Sequence, residues 1–167
     1  HKEYRRQRQM CIRDRFDIDT PDKANAFYVS RMPLKLQDTD ADYPALYLAN
    51  YLFGASETSR LWNRVRETEG LSYNVRSSLS VSSFEPSASW TMYAIYAPQN
   101  RERLEKAIGE ELARVLKDGF TDKEISDGIT ALLNYRNLAR AQDDVLAGTW
   151  LDYLQRGRTF EWSAEMD

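Results

Sequence analysis

Residues 24–32, Ala-Asn-Ala-Phe-Tyr-Val-Ser-Arg-Met, are rich in strand formers and stop at Pro33, which predicts a first strand. Asp38-Thr39-Asp40 supplies capping chemistry, and Tyr43, Leu46, Tyr47, Asn50 and Tyr51 then recur at helical spacing, predicting a helix over about 41–52 that ends before Gly54. Ser56 is placed to cap a second helix, in which Leu61, Trp62 and Val65 form an apolar stripe and which finishes near Glu69-Gly70. After Gly70 the period changes from 3.6 to 2: Tyr73, Val75, Leu79 and Val81 alternate with polar residues, the pattern of a strand with one buried face. A turn around Glu85-Pro86-Ser87 leads to residues 88–97, where Trp90, Met92 and Tyr96 lie on one side and Tyr93 and Ile95 on the other, which predicts a strand covered on both faces. Pro98 ends this strand, and the two strands are expected to form a hairpin.

Leu104, Ile108, Leu112, Val115 and Leu116 predict a third amphipathic helix over about 100–117, closed by Gly119. Thr121-Asp122-Lys123-Glu124 reads as a capping box that opens a fourth, with Ile125, Ile129, Leu132 and Leu133 inward and a bend near Gly148 before Gly157 ends it. The order β-α-α-β-β-α-α defines an α+β fold, a mostly antiparallel sheet with helices packed on one face. It is expected to occupy residues 16–167, with residues 1–15 a disordered or foreign basic leader.

Composition narrows the chemistry. Of 167 residues, 42% are hydrophobic and 29% charged, enough for a folded core, and no apolar run approaches the roughly 20 residues of a membrane span. The chain reads as soluble, with a bacterial periplasm or cytoplasm both open. Residues 1–15 carry a local +4, so the rest sums to −7 within a net charge of −3, which disfavours a nucleic-acid surface. Cys11 is the single cysteine and His1 the single histidine, so neither a disulfide framework nor a self-contained histidine active site is expected. The serines at 77, 78, 80, 82 and 83 have no histidine to activate them, and Gly54 has no partner glycines for a phosphate loop. Asp143-Asp144 and Glu110-Glu111 read as solvated helix faces.

The most specific wording is Leu52-Phe53-Gly54-Ala55-Ser56, then Ser59-Arg60-Leu61-Trp62, Arg64-Val65-Arg66-Glu67 and Gly70-Leu71-Ser72-Tyr73. This combination resembles the second, non-zinc-binding half of the insulinase/pitrilysin family of zinc peptidases. The likeness runs from about residue 24 to at least 140 and includes Asp40-Ala41-Asp42-Tyr43-Pro44-Ala45-Leu46 and Gly119-Phe120-Thr121-Asp122-Lys123-Glu124-Ile125. The family's inverted zinc motif, His-x-x-Glu-His, is absent from the chain.

The resemblance implies a metalloendopeptidase whose zinc is held by a partner half, in the same polypeptide or a homologous subunit, with peptide as substrate. It also implies catalytic-chamber roles for Arg66 and Tyr73, which match the family's arginine and its tyrosine seven positions on. A phenol O–H and a guanidinium there would steady the oxyanion or hold the substrate backbone. Gly54, Ala55, Ser56 and Arg60 are expected at the contact with the partner half, Arg60 with a bracing role. Read without the family, Tyr73 shares strand parity with Val75 and would be core, and Arg66 would pair with Glu67 or Glu69. The alternative function is a non-catalytic binding or assembly subunit, because relatives of this kind also serve as inactive subunits.

Overall fold

A computed structural model describes residues 16–19 and 21–167; the basic leader and its boundary near residue 15 lie outside them. Three strands, β1 (Ala26–Leu34), β2 (Ser72–Val81) and β3 (Ala88–Tyr96), form an antiparallel sheet in the order β1-β3-β2. The expected hairpin is β2–β3, with Val75 opposite Ala94 and Leu79 opposite Trp90, and β1 pairs the other edge of β3. β1 runs through Pro33, which lies opposite Ser89; an edge strand tolerates proline because one of its sides has no ladder to donate to.

Among the described residues, the helices of six or more residues are α1 (Tyr43–Asn50), α2 (Trp62–Thr68), α3 (Arg101–Asp118), α4 (Asp122–Arg140), α5 (Asp143–Gln155) and α6 (Phe160–Glu165). α1 continues into a π-helical turn, Tyr51–Ala55, and α2 is itself π-helical. The first turn of α2 is capped by Ser59 rather than Ser56: Ser59 Oγ accepts the Trp62 N–H at 3.4 Å and donates to Ser56 O at 2.6 Å. The capping box at Thr121 and Glu124 is present with both reciprocal bonds. The expected bend at Gly148 lies instead at Ala141-Gln142, where Gln142 turns to extended backbone and Asp143 and Asp144 enter the first turn of a new helix. Acids there meet the positive end of the helix dipole, a better explanation of the pair than a solvated mid-helix face. α6 adds a helix beyond the expected end at Gly157; Thr159 starts it by accepting the Glu161 N–H at 3.2 Å.

The core lies between the inward face of the sheet, with Val75, Met92, Ala94 and Tyr96, and a helical layer that supplies Phe53, Leu61, Trp62, Val65, Leu104 and Ile108. Burying each large side chain contributes about 1.5–3 kcal/mol before conformational entropy is charged against it. α3 presents Leu104, Ala107 and Ile108 to this core, whereas Leu116 is 79% exposed. Twelve residues at about 100° each carry Leu116 some 120° round from Leu104, off the buried stripe.

Helix and sheet approach closely at Gly54, where an added Cβ would sit 2.6 Å from Ser77 Oγ and 2.9 Å from the Ser77 backbone nitrogen. The backbone cannot yield as a side chain could. Gly54→Ala is expected to cost about 1–3 kcal/mol by overpacking, read as a lowered urea midpoint with the m-value unchanged.

Candidate functional site

The two residues singled out as chamber contacts come together at the junction of α2 and β2. By strand alternation Tyr73 would point inward beside Val75, which is fully buried. It does not, because the β2–β3 register slips between Ser72 and Asn74: Ser72 pairs Tyr96 and Asn74 pairs Ile95, which leaves Tyr73 as the extra residue of a β-bulge. A bulge re-aims side chains, and Tyr73 is 81% exposed. Ser72 takes the inward position, where its hydroxyl reaches the carbonyl oxygens of Ile95 (2.7 Å) and Asn74 (3.0 Å) and accepts the Asn74 N–H at 3.2 Å. The polar groups disturbed by the bulge are thus satisfied by the residue just before Tyr73.

Arg66 reaches the same point from α2. Its Nη1 donates to Tyr73 O at 3.1 Å, and its guanidinium carbon lies 5.0 Å from the Tyr73 ring centroid and 4.2 Å from that of Trp62. Arg76, from β2, stands 3.9 Å from the same Trp62 ring. Each cation has a carboxylate nearby: Arg66 Nε is 3.6 Å from Glu67, and Arg76 Nη2 is 3.3 Å from Glu57. Trp62, itself buried, fixes Glu67 by donating its indole N–H at 3.1 Å. The pairing with Glu67 and the contact with Tyr73 therefore coexist, and Glu69 is taken by Arg64.

Trp62, Arg76 and Ser72 did not figure among the expected site residues. The signal for the Trp62–Glu67 bond lies five residues apart, as does the Arg64–Glu69 pair. A π-helix brings i and i+5 together, a spacing that a 3.6-residue template does not test.

The family model described as the peptidase M16 inactive domain matches residues 6–132. The chain belongs to that family. Its curated relatives include the uncharacterized zinc protease YmxG of Bacillus subtilis, 38% identical over 82 residues, 49% of this chain and 20% of that protein. The chain thus spans about a fifth of that relative's length. Among solved structures, the peptidase M16 inactive domain from Pseudomonas fluorescens superposes with a TM-score of 0.58 at 27% identity, over 66% of this chain and 26% of that one. A protease from Helicobacter pylori gives 0.73 at 17% identity, over 83% and 33% respectively, and shares the fold. The M16 assignment accords with the resemblance read from the sequence and with the α+β architecture. No helix among the described residues is long and apolar enough to cross a membrane.

The four residues expected at a partner contact divide within this M16 domain. Gly54 is buried against Ser77, Ser56 is half-buried, and Ala55 is exposed. Arg60 binds Glu124 with two charge-assisted bonds, Nε–Oε1 at 2.7 Å and Nη2–Oε2 at 2.8 Å, and lies 4.9 Å from the Phe120 ring centroid. This clasp ties the start of α2 to the capping box of α4. The Arg60 bonds, with those from Thr121, overcome burial and lower the Glu124 carboxyl to about 2. Because the folded state favours the ionised form, the contribution is complete above about pH 4.5 and is lost as the pH falls toward 2. Arg60→Met is expected to flatten the acid limb of stability across that window and to change little at pH 7 to 8 beyond a constant offset, checked by urea melts at stepped pH.

Proposed function

We propose that this M16 domain is the non-zinc-binding half of a zinc metalloendopeptidase, closing the catalytic chamber and giving Arg66 and Tyr73 to the bound peptide. The observation that carries the reading is the bulge at Ser72–Asn74, which turns a tyrosine of core parity outward and sets it against Arg66. Two hydrogen-bond donors, a phenol O–H and a guanidinium, then share one exposed corner. In this reading Tyr73 donates to the carbonyl oxygen of the scissile peptide as negative charge builds there, and Arg66 holds that oxygen or a neighbouring backbone carbonyl. Trp62 orients Arg66 by stacking, and Glu67 limits how far the guanidinium can swing.

Zinc, implied by the names of the relatives, finds no ligand set in this half: among the described residues no group of three or more His, Cys, Asp or Glu could hold a metal ion. In this proposal the partner half carries it. Gly54, Ala55, Ser56 and Arg60 would shape the face toward that half, Arg60 indirectly by bracing α2 on α4. The test is reconstitution. Peptide hydrolysis should be absent with this chain alone and appear when the separate zinc-bearing half is added. A tight complex of the two halves without hydrolysis of any peptide would instead establish an assembly subunit.

A further inference from the structure

The helices cover one face of the sheet, and the other face carries an apolar patch. Phe27 and Val29 of β1 are 62% and 54% exposed, and Ile95 of β3 is 36% exposed. The register puts Phe27 opposite Ile95 and Val29 opposite Tyr93, and the Phe27 and Tyr93 rings stack at 6.0 Å and 28°. By alternation all four stand on the side away from Met92, Ala94 and Tyr96, which are core. The patch runs into the candidate site along the same rows: Ile95 pairs Asn74, the residue after Tyr73, and Tyr93 pairs Arg76. At its other end, two residues beyond Val29 on β1, stands Arg31, whose guanidinium donates to the neutral Ser89 hydroxyl at 3.0 Å.

We propose that this outer face docks an extended peptide substrate with apolar side chains at alternate positions and an acidic residue two positions beyond them, over Arg31. The inference rests on the peptidase reading above. An extended peptide shows the same side every second residue, about 6.6–6.8 Å apart, which is the spacing of Phe27, Val29 and Arg31 along β1. Two apolar side chains would cover the Phe27–Ile95 and Val29–Tyr93 rows, and the acid would meet a cation. The continuity of the face with Tyr73 places the next part of that peptide at the Arg66–Tyr73 corner.

The test is binding of fluorescein-labelled nonapeptides to the 167-residue chain, read by anisotropy, so that the result stands whether or not hydrolysis is reconstituted. The first probe alternates Phe and Leu with Ser and carries Glu two positions after the last apolar residue. The second replaces Phe and Leu by Ser, and the third replaces Glu by Lys. The first should bind about tenfold or more tighter than the second. It should also bind tighter than the third, with that gap closing at high salt. The double variant Val29→Thr/Ile95→Thr, which keeps strand propensity, should weaken the first probe about tenfold. Arg31→Gln should abolish the difference between Glu and Lys probes, and Leu116→Thr, on an exposed part of α3, should change nothing. Equal binding of the first two probes, or a folded double variant that binds the first as wild type does, overturns the proposal. So does a double variant that alters only self-association or capture of the zinc-bearing half. If the double variant does not fold, amide shifts of the wild-type chain on titration with the first probe decide the matter, and shifts confined away from β1 and β3 overturn it.

Discussion

Tyr73→Phe is expected to lower kcat of the reconstituted peptidase by about 10²-fold, and Arg66→Ala by about 10²–10³-fold, with the two halves still associating. These are the magnitudes found when one preorganised donor to a developing oxyanion is removed. Tyr73 is the cleaner case. Removing its hydroxyl leaves the ring against Arg66 and leaves the bulge intact, since Ser72 and the backbone hold the bulge without it. A loss confined to kcat means the phenol acts on the transition state, and a loss confined to KM means it only holds substrate. Arg66→Ala removes more, because the same guanidinium also binds Tyr73 O and stacks on Trp62. Arg66→Lys separates charge from geometry: an ammonium keeps the cation but loses the planar fork, and is expected to recover only part of the rate. Full activity in both Tyr73→Phe and Arg66→Ala would remove the pair from the chemistry and leave a binding module.

How much of this could be read from the chain depends on which period governs each element. The strands were legible because Tyr73, Val75, Leu79 and Val81 keep one parity along β2 and aromatic and β-branched residues fill β3, and the start of α4 because the Thr121–Glu124 capping box is a local device needing no tertiary help. Leu116 was misplaced because a run of apolar residues outlasts the stripe that meets the core. Ile125 and Ile129, expected inward, are 36% and 42% exposed, and the helix approaches its neighbour through Gly128, against Leu52. A glycine adds nothing to an apolar pattern, so that contact had no signal in composition. The break at Ala141-Gln142 also lacked a strong breaker, whereas Gly148 offered one and was simply absorbed into α5.

The candidate site shows the same division at smaller scale. Arg66 and Tyr73 were found by wording, seven residues apart, and strand parity argued against Tyr73. What reconciles wording with parity is one inserted position in the β2–β3 register, and no local rule announces it, because Ser72 is an ordinary strand-edge residue until its hydroxyl is seen bonding Ile95 O across the strands. The i to i+5 contacts of α2 were hidden for a related reason: Trp62 and Glu67 lie well apart on an ideal α-helix and adjacent on a π-helix. Both departures add a residue to a regular element, and both occur within the stretch from Trp62 to Asn74 that forms the site.

That concentration gives Trp62 a double role, and Trp62→Ala is expected to show both halves of it. The side chain is 7% exposed within the core cluster with Phe53, Leu61 and Val65, so truncation should cost about 3–5 kcal/mol. For a chain of this length that lowers Tm by roughly 10 °C. A stability loss alone would follow from any buried tryptophan. The second effect is particular to this one: Arg66 and Arg76 both lose the ring they stack on, and Glu67 loses the indole N–H that holds it. Two guanidinium groups near one another without that ring are expected to separate, carrying Arg66 off Tyr73, so kcat should fall even at temperatures where the variant is fully folded. Trp62→Phe discriminates. It keeps an aromatic face for the cations and much of the buried volume but removes the indole donor, so it should restore most of the rate while leaving part of the stability deficit. If Trp62→Phe and Trp62→Ala lose rate in proportion to their loss of stability, the tryptophan serves packing only, and the orientation of Arg66 must come from its bond to Tyr73 O.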